Sequence, residues 1–174
     1  MGRVPKVQMM TKKIKLDAVD RQILHDLQGS GRMTNVELAQ NAGISAPPCL
    51  RRVRTLEQEG VIKGYHADVD AEALGYSVTI FAFVGLTSQA ETDLRDFEDM
   101  ITGWENVREC HMLMGETDFL LKIVAHDWDD FQAFLTGKLT PAPNVSHVKT
   151  ALAIRSRKNL SGVPITIDEG PELS

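Results

Sequence analysis

Cysteine is scarce in this chain, with two in 174 residues, Cys49 and Cys110. They lie far apart and neither has a second ligand pair nearby, so reduced thiols in a cytosolic protein are expected rather than a disulfide framework. The histidines His25, His66, His111, His126 and His147 show no HxxxH or CxxC spacing, which argues against a metal site. Cys110 and His111 are strand neighbours that should point to opposite faces, so they do not cooperate locally. GxSxG, GxxxxGK[ST] and GxGxxG are all missing, and with them the nucleophile elbow, the phosphate loop and the dinucleotide fingerprint. The pairs Glu98–Asp99 and Asp129–Asp130 read as solvated helix surface. No catalytic constellation and no cofactor motif emerges, and the chain is expected not to be an enzyme. No apolar run reaches the ~18–20 residues that cross a bilayer, and the first residues lack the apolar stretch of a signal peptide. A cytoplasmic protein without a membrane partner is therefore expected.

Positive charge is in deficit overall, but unevenly. Up to His66 there are 11 Lys+Arg against 6 Asp+Glu, a charge of +5; the remainder carries 8 against 18, or −10. A basic head on an acidic body points to a polyanion as the partner of the head.

In the head, Leu16, Val19, Ile23 and Leu27 stand at i, i+3, i+7 and i+11, one stripe of an amphipathic helix, with Asp17 as N-cap and Gly29 and Gly31 as stop. Thr34 and Glu37 have capping-box spacing ahead of a short helix whose buried side is assigned to Val36, Leu38, Ala39 and Ala42, with Gly43 ending it. A third helix follows within about three residues, the pattern of a helix-turn-helix. It opens on Ser45, Ala46, Pro47 and Pro48. Proline is tolerated there because first-turn N–H groups have no intrahelical acceptor. Two prolines also deprive the Ser45 hydroxyl of its usual donors, leaving it for a phosphate or for water. At about 100° per residue, Ala46, Cys49, Leu50, Val53 and Leu56 share one arc, and Arg51, Arg54 and Thr55 with Pro47 and Pro48 the other. Arg52 falls at the margin, to hold phosphate or to brace Glu37. The outward face of such a helix enters the major groove, where arginine bonds guanine or phosphate. Gly60 closes the helix in the left-handed region. "VIKGYHADVD" alternates like a strand with a bulge at Gly64. Lys6, Lys12, Lys13 and Lys15 form a basic arm suited to non-specific phosphate contacts.

From Ser77 the order becomes strand, helix, strand, strand, helix, strand, a ferredoxin-like βαββαβ unit. A second capping box is expected at Ser88 and Glu91, with Leu94, Phe97 and Ile101 buried on one helix and Phe131, Phe134 and Leu135 on the other. The first strand is apolar on both faces, with Val78, Ile80, Ala82 and Val84 opposite Phe81 and Phe83. The third sets Phe119, Leu121 and Ile123 opposite Leu120 and Val124. Two helices cover one face only, so the second face requires another cover, most simply a second copy of the sheet. In "MGETDF", Gly115, Glu116, Thr117 and Asp118 have the chemistry to hold an α-carboxylate and an α-ammonium. Taken as residue chemistry alone, the stretch reads first as an ordinary hairpin turn.

The motifs "LDAVDRQIL", "GRMTNVELAQNAGIS", "CLRRVRTLEQEGVIKGY", "VRECHMLMGETDFLLKI" and "VKTALAI" occur in order from Leu16 to about Arg157. In them the chain resembles the Lrp/AsnC, or feast/famine, family of transcription factors, and within it the leucine-responsive branch. The resemblance implies an α+β protein: a basic arm over 1–15, a winged-helix-like helix-turn-helix domain over 16–61, and a strand linker over 62–76. A ferredoxin-like effector and oligomerisation domain over 77–157 and a tail over 158–174 complete it. It implies double-stranded DNA and a small amino acid as partners, and homodimers assembling to octamers with the effector between dimers. DNA contacts would come from Ser45, Pro47, Pro48, Arg51, Arg52, Arg54 and Thr55. Effector contacts would come from Gly115, Glu116, Thr117 and Asp118, with Ser146 and Thr150 on the last strand. Similar leucine-responsive proteins carry glutamate in place of Arg51, so base preference does not transfer. Met114 replaces a small polar residue of some relatives, which reshapes or closes the pocket. The tail either hangs free or braces a neighbouring subunit. Competing readings are a ferredoxin-like metabolite-binding or enzyme module with a helical docking head, and an architectural DNA-wrapping protein.

Overall fold

The computed structural model describes residues 14–167. Lys6, Lys12 and Lys13 of the basic arm lie outside the described residues. The chain forms two compact units. One holds the described residues up to Ala67 together with the segment from Leu160, and the other is Asp68–Asn159.

The first unit contains α1 (Ala18–Gly29), α2 (Asn35–Asn41) and α3 (Ala46–Gln58). Each of the first two begins with a reciprocal capping box. Asp20 N donates to Asp17 Oδ1 and Asp17 N to Asp20 Oδ2; Glu37 N donates to Thr34 Oγ1 and Thr34 N to Glu37 Oε2. Ile23, Leu38, Ala39, Cys49 and Leu56 are buried at the centre, one or two from each helix, so none of the three can hide its apolar stripe without the others. Val36 is an exception to the expected burial, at 56% exposure. On α2 it stands about 160° around the helix from Leu38 and about 120° from Ala42, and only its neighbour Ala39, about 60° away, connects it to the buried side. Leu50 is 39% exposed, because it occupies the edge of the α3 arc rather than its middle.

Gly60 closes α3 with φ +71°, as expected. The segment after it corrects the sequence reading: from Lys63 to Asp70 the described residues form no ladder, and a short 3-10 turn, Glu72–Leu74, follows. A strand needs a neighbour to accept its hydrogen bonds, and no described segment pairs with this one. Tyr65 is instead tied down by its side chain, whose hydroxyl donates to Glu57 Oε1 at 3.0 Å. Burial and that carboxylate push the phenol up to about 12. The described part of the tail from Leu160 groups with the head of its own chain. Gln28 of α1 pairs both amide atoms with the backbone of Val163, Nε2 donating to O at 2.7 Å and Oε1 accepting from N at 3.2 Å.

The second unit is β1 (Val78–Leu86), α4 (Glu91–Thr102), β2 (Val107–Met112), β3 (Phe119–Ala125), α5 (Trp128–Phe134) and β4 (Val145–Leu152). A π-helical turn, Leu135–Leu139, extends α5. The sheet order is β2-β3-β1-β4, all antiparallel, the expected ferredoxin-like arrangement. Ile80, Ala82 and Val84 pair with Ile123, Leu121 and Phe119 and form one buried face with Phe97, Ile101, Phe131, Phe134 and Leu139. Phe97 and Phe119 pack ring on ring, centroids 4.9 Å apart. Phe81, Phe83, Leu120 and Val124 occupy the other face and are only half-buried. On that face Lys122 Nζ donates to Glu109 Oε1 at 2.9 Å, holding the Glu109 carboxyl below its ordinary range.

The Ser88–Glu91 capping box does not form. Ala90 is the N-cap of α4 and has no side-chain bond; the Ser88 hydroxyl turns instead to the Asp93 carboxylate. Asn144 explains the difference. Its side chain accepts from Ser88 N at 3.0 Å and donates to Ser88 O at 2.9 Å, pinning Ser88 before the helix starts. Among the described residues no helix is long and apolar enough to cross a membrane.

Candidate nucleic-acid interface and effector turn

α3 carries the first candidate site. Ser45 is its N-cap and makes no side-chain capping bond, as two prolines in the first turn require. Ser45, Pro47, Arg51, Arg54 and Thr55 are exposed and Pro48 is half-buried, while Cys49 and Leu56 are fully turned inward. Among the described residues neither Arg51 nor Arg54 forms an ion pair, so two guanidiniums stand together on the outward face. Thr55 spends its proton on the Arg51 carbonyl, at 3.0 Å, and keeps its lone pairs for a donor.

Arg52 departs from the expectation. Its Nη1 donates to Asp17 Oδ2 and Asp20 Oδ1, both at 2.8 Å, and so faces α1. It does not brace Glu37, whose carboxylate is committed to Thr34 and is held below its ordinary range by that backbone bond. The Asp17 carboxyl is likewise lowered, first by the Asp20 backbone N–H and then by Arg52. Arg52, in turn, is raised by the two carboxylates. Lys15, Arg51, Arg52 and Thr55 border a shallow cleft of about 200 Å³ at this corner of the head.

The second candidate site lies at one end of the sheet. The turn between β2 and β3 is held by Leu113 N donating to Asp118 O at 2.7 Å and Asp118 N to Val84 O at 2.9 Å. Gly115 opens onto free space, Glu116 is exposed and Thr117 is half-buried. The Asp118 carboxylate turns inward. Oδ2 accepts from Leu86 N at 2.7 Å and Oδ1 from Gln89 Nε2 at 2.8 Å. It therefore builds the corner joining the turn to the end of β1, and only its remaining lone pairs face outward. Met114 is 75% exposed and so leans over open surface, not into the core.

Ser146 belongs to the same end of the sheet, its hydroxyl donating to Gly85 O at 2.8 Å. Thr150 does not, since it pairs with Ala82 in the middle of β4. Gln89 and Asn144 were not foreseen as members of this corner. Asn144 has a sequence signal, a turn-favouring residue after "PAP" that takes φ +65°. Gln89 has none, because its partner lies 29 residues further along the chain.

The fold and the two sites define a class: a transcriptional regulator in which a DNA-binding helix-turn-helix is joined to a small-molecule-binding sheet domain. Comparison with known proteins gives the family. Residues 79–163 match the Lrp/AsnC ligand binding domain and residues 16–63 a winged helix-turn-helix DNA-binding domain. A leucine-responsive regulatory protein of Rhizobium meliloti is 49% identical over 156 residues, 90% of this chain and 100% of that one. The Escherichia coli K12 leucine-responsive regulatory protein is 36% identical over 143 residues, 82% of this chain and 87% of its own. Among solved structures, a transcriptional regulator of Neisseria meningitidis in complex with L-Met superposes with a TM-score of 0.81 at 32% identity, covering 86% of this chain and 97% of that one. The chain belongs to the Lrp/AsnC family of transcriptional regulators. A helical head serving only as a protein-docking unit is thereby set aside.

Proposed function

We propose that the protein is a cytoplasmic, homo-oligomeric regulator that reads double-stranded DNA with Arg51 and Arg54 and responds to a small amino acid. The observation carrying the DNA half is the pair of exposed guanidiniums, without an ion pair among the described residues, on the face of α3 opposite Cys49 and Leu56. Ser45, Pro47, Pro48 and Thr55 flank them and line the approach of a phosphate backbone. The effector is assigned to the corner formed by Gly115, Glu116 and Thr117 with Asp118, next to Ser146; Thr150, opposite Ala82, is left out of it. Exposed backbone N–H groups of the turn suit an α-carboxylate, and Glu116 an α-ammonium. The L-Met bound to the Neisseria meningitidis relative supports an amino acid as the ligand class.

A second copy of the sheet covers Phe81, Phe83, Leu120 and Val124, giving a homodimer, and dimers assemble to an octamer with the effector between them. The function needs no catalytic step and no cofactor. An amino acid that prefers one quaternary arrangement shifts the population toward it, and DNA affinity follows by linkage.

Electrophoretic shift assays on Arg51→Ala and Arg54→Ala test the reading face. Loss of a bidentate base contact should weaken binding by about 1–3 kcal/mol, and loss of a phosphate contact should flatten the salt dependence by about one unit of slope. Undiminished binding by both variants sinks the assigned face. Calorimetric titration with a panel of amino acids tests the effector corner, and an absence of heat for every one removes it.

A further inference from the structure

We infer that Arg52 is a positioning residue, a brace that sets how α3 presents Arg51 and Arg54, and that it does not contact DNA itself. This rests on the DNA-reading role proposed for α3. In the sequence, Arg52 is one of three arginines within four residues, and its helical position is ambiguous. Only the fold distinguishes it from its neighbours.

The brace is a closed set of four hydrogen bonds. Asp17 and Asp20 each spend one carboxylate oxygen on capping α1 and the other on Arg52. Asp17 uses Oδ1 for Asp20 N and Oδ2 for Arg52 Nη1; Asp20 uses Oδ2 for Asp17 N and Oδ1 for the same nitrogen. The first turn of α1 is thus tied to the middle of α3 through charge-assisted bonds, which are about twice as strong as neutral ones. Apolar packing between the helices fixes their separation, but it is non-directional and tolerates sliding. The guanidinium bridge adds the directional restraint, one residue from Arg51 and two from Arg54. The Asp20 side chain is 15% exposed and Arg52 34%, so water and salt weaken this contact less than they would a surface pair.

Charge counting supports the same conclusion. One guanidinium between two carboxylates makes a group of net −1, which repels a polyanion. A residue retained for attraction to phosphate would not be placed there, whereas a brace requires it.

Electrostatics and positioning predict opposite outcomes for Asp17→Asn with Asp20→Asn. Asparagine caps helices about as well as aspartate, so α1 keeps its cap and the brace loses its charge. If charge alone mattered, removing two negatives and freeing Arg52 would tighten binding to every duplex. If Arg52 positions α3, specific binding falls while non-specific binding holds or rises.

The assay is fluorescence anisotropy with two duplexes: one enriched from a random library by the wild-type protein, and a scrambled duplex of equal length and composition. The double variant is expected to lose about tenfold in the ratio of the two affinities, the loss of roughly one well-aimed base contact. Arg52→Lys, which keeps a cation for the two carboxylates, should largely restore the ratio that Arg52→Gln loses. Helical circular dichroism at the assay temperature checks folding. Should the double variant fail to fold, the Lys and Gln variants decide the question alone. An undiminished ratio in the double variant overturns the inference. So does an equal loss for both duplexes in Arg52→Gln with the salt slope reduced by about 0.9, the signature of a phosphate contact. A wild-type protein that enriches no duplex overturns the DNA-reading role itself, and the inference with it.

Discussion

Replacing Asp118 with alanine separates two jobs that one carboxylate could perform, building the effector corner or binding the effector directly. Its oxygens accept from Leu86 N at 2.7 Å and Gln89 Nε2 at 2.8 Å. Leu86 is only 7% exposed, so its N–H has little access to water in place of the deleted acceptor. A buried donor left unpaired costs about 1–3 kcal/mol, and hydrogen bonds to a charged acceptor contribute about 1.5–3 kcal/mol. Gln89 is exposed and recovers its bond from solvent, so the Leu86 bond sets the loss, about 2–3 kcal/mol. At about 4–8 °C per kcal/mol for a domain of this size, the sheet unit should melt roughly 10–20 °C lower without any ligand. Asp118→Asn, which keeps one acceptor oxygen, should lose less than half of that. Thermal unfolding of the full chain followed by circular dichroism, with and without amino acids, is the assay. An alanine variant that melts at the wild-type temperature would refute the corner-building role and leave Asp118 free for the ligand.

Three further outcomes are expected. Phe119→Ala empties the centre of the sheet unit, where Phe119 is fully buried against Phe97, and should cost about 3–5 kcal/mol in denaturant unfolding; under 1 kcal/mol would contradict the core assignment. Asp17 and Glu37 have folded carboxyls below their ordinary values of 3.8 and 4.5, so their contribution is fully present above that range and is lost as pH falls through the lowered values. Head stability should therefore be flat near neutrality and decline below about pH 4, less so in Glu37→Gln; a decline already complete at pH 6 would disprove the assignment. Gly162 has φ +77° beside Gln28, a backbone conformation that alanine adopts only with strain. Gly162→Ala should hasten proteolytic removal of the tail, and an unchanged digestion rate would show that Gln28 does not hold it.

Helix starts and the sheet order were legible because their causes are local or periodic. Asp17 and Thr34 cap helices through residues three positions away, and alternation along β1 and β3 follows from the pleat. Where the reading failed, a distant residue outbid a local one. Ser88 had the spacing of a capping box, but Asn144, 56 positions away, took its backbone. Lys63–Asp70 had the alternation of a strand and no neighbour to pair with among the described residues. Val36 and Leu50 were apolar but lay at the wrong angle to two packed helices.

The sequence alone determined the basic head, the acidic body with its doubly apolar sheet, and the outward placement of Arg51 and Arg54. Each of the three depends on composition or on a repeat along one element. Tertiary structure alone decided that Arg52 turns to Asp17 and Asp20, that Asp118 faces Leu86 and Gln89, and that the tail meets Gln28. Each of these is a bond to a partner many residues away, and its direction exists only once the chain has closed on itself.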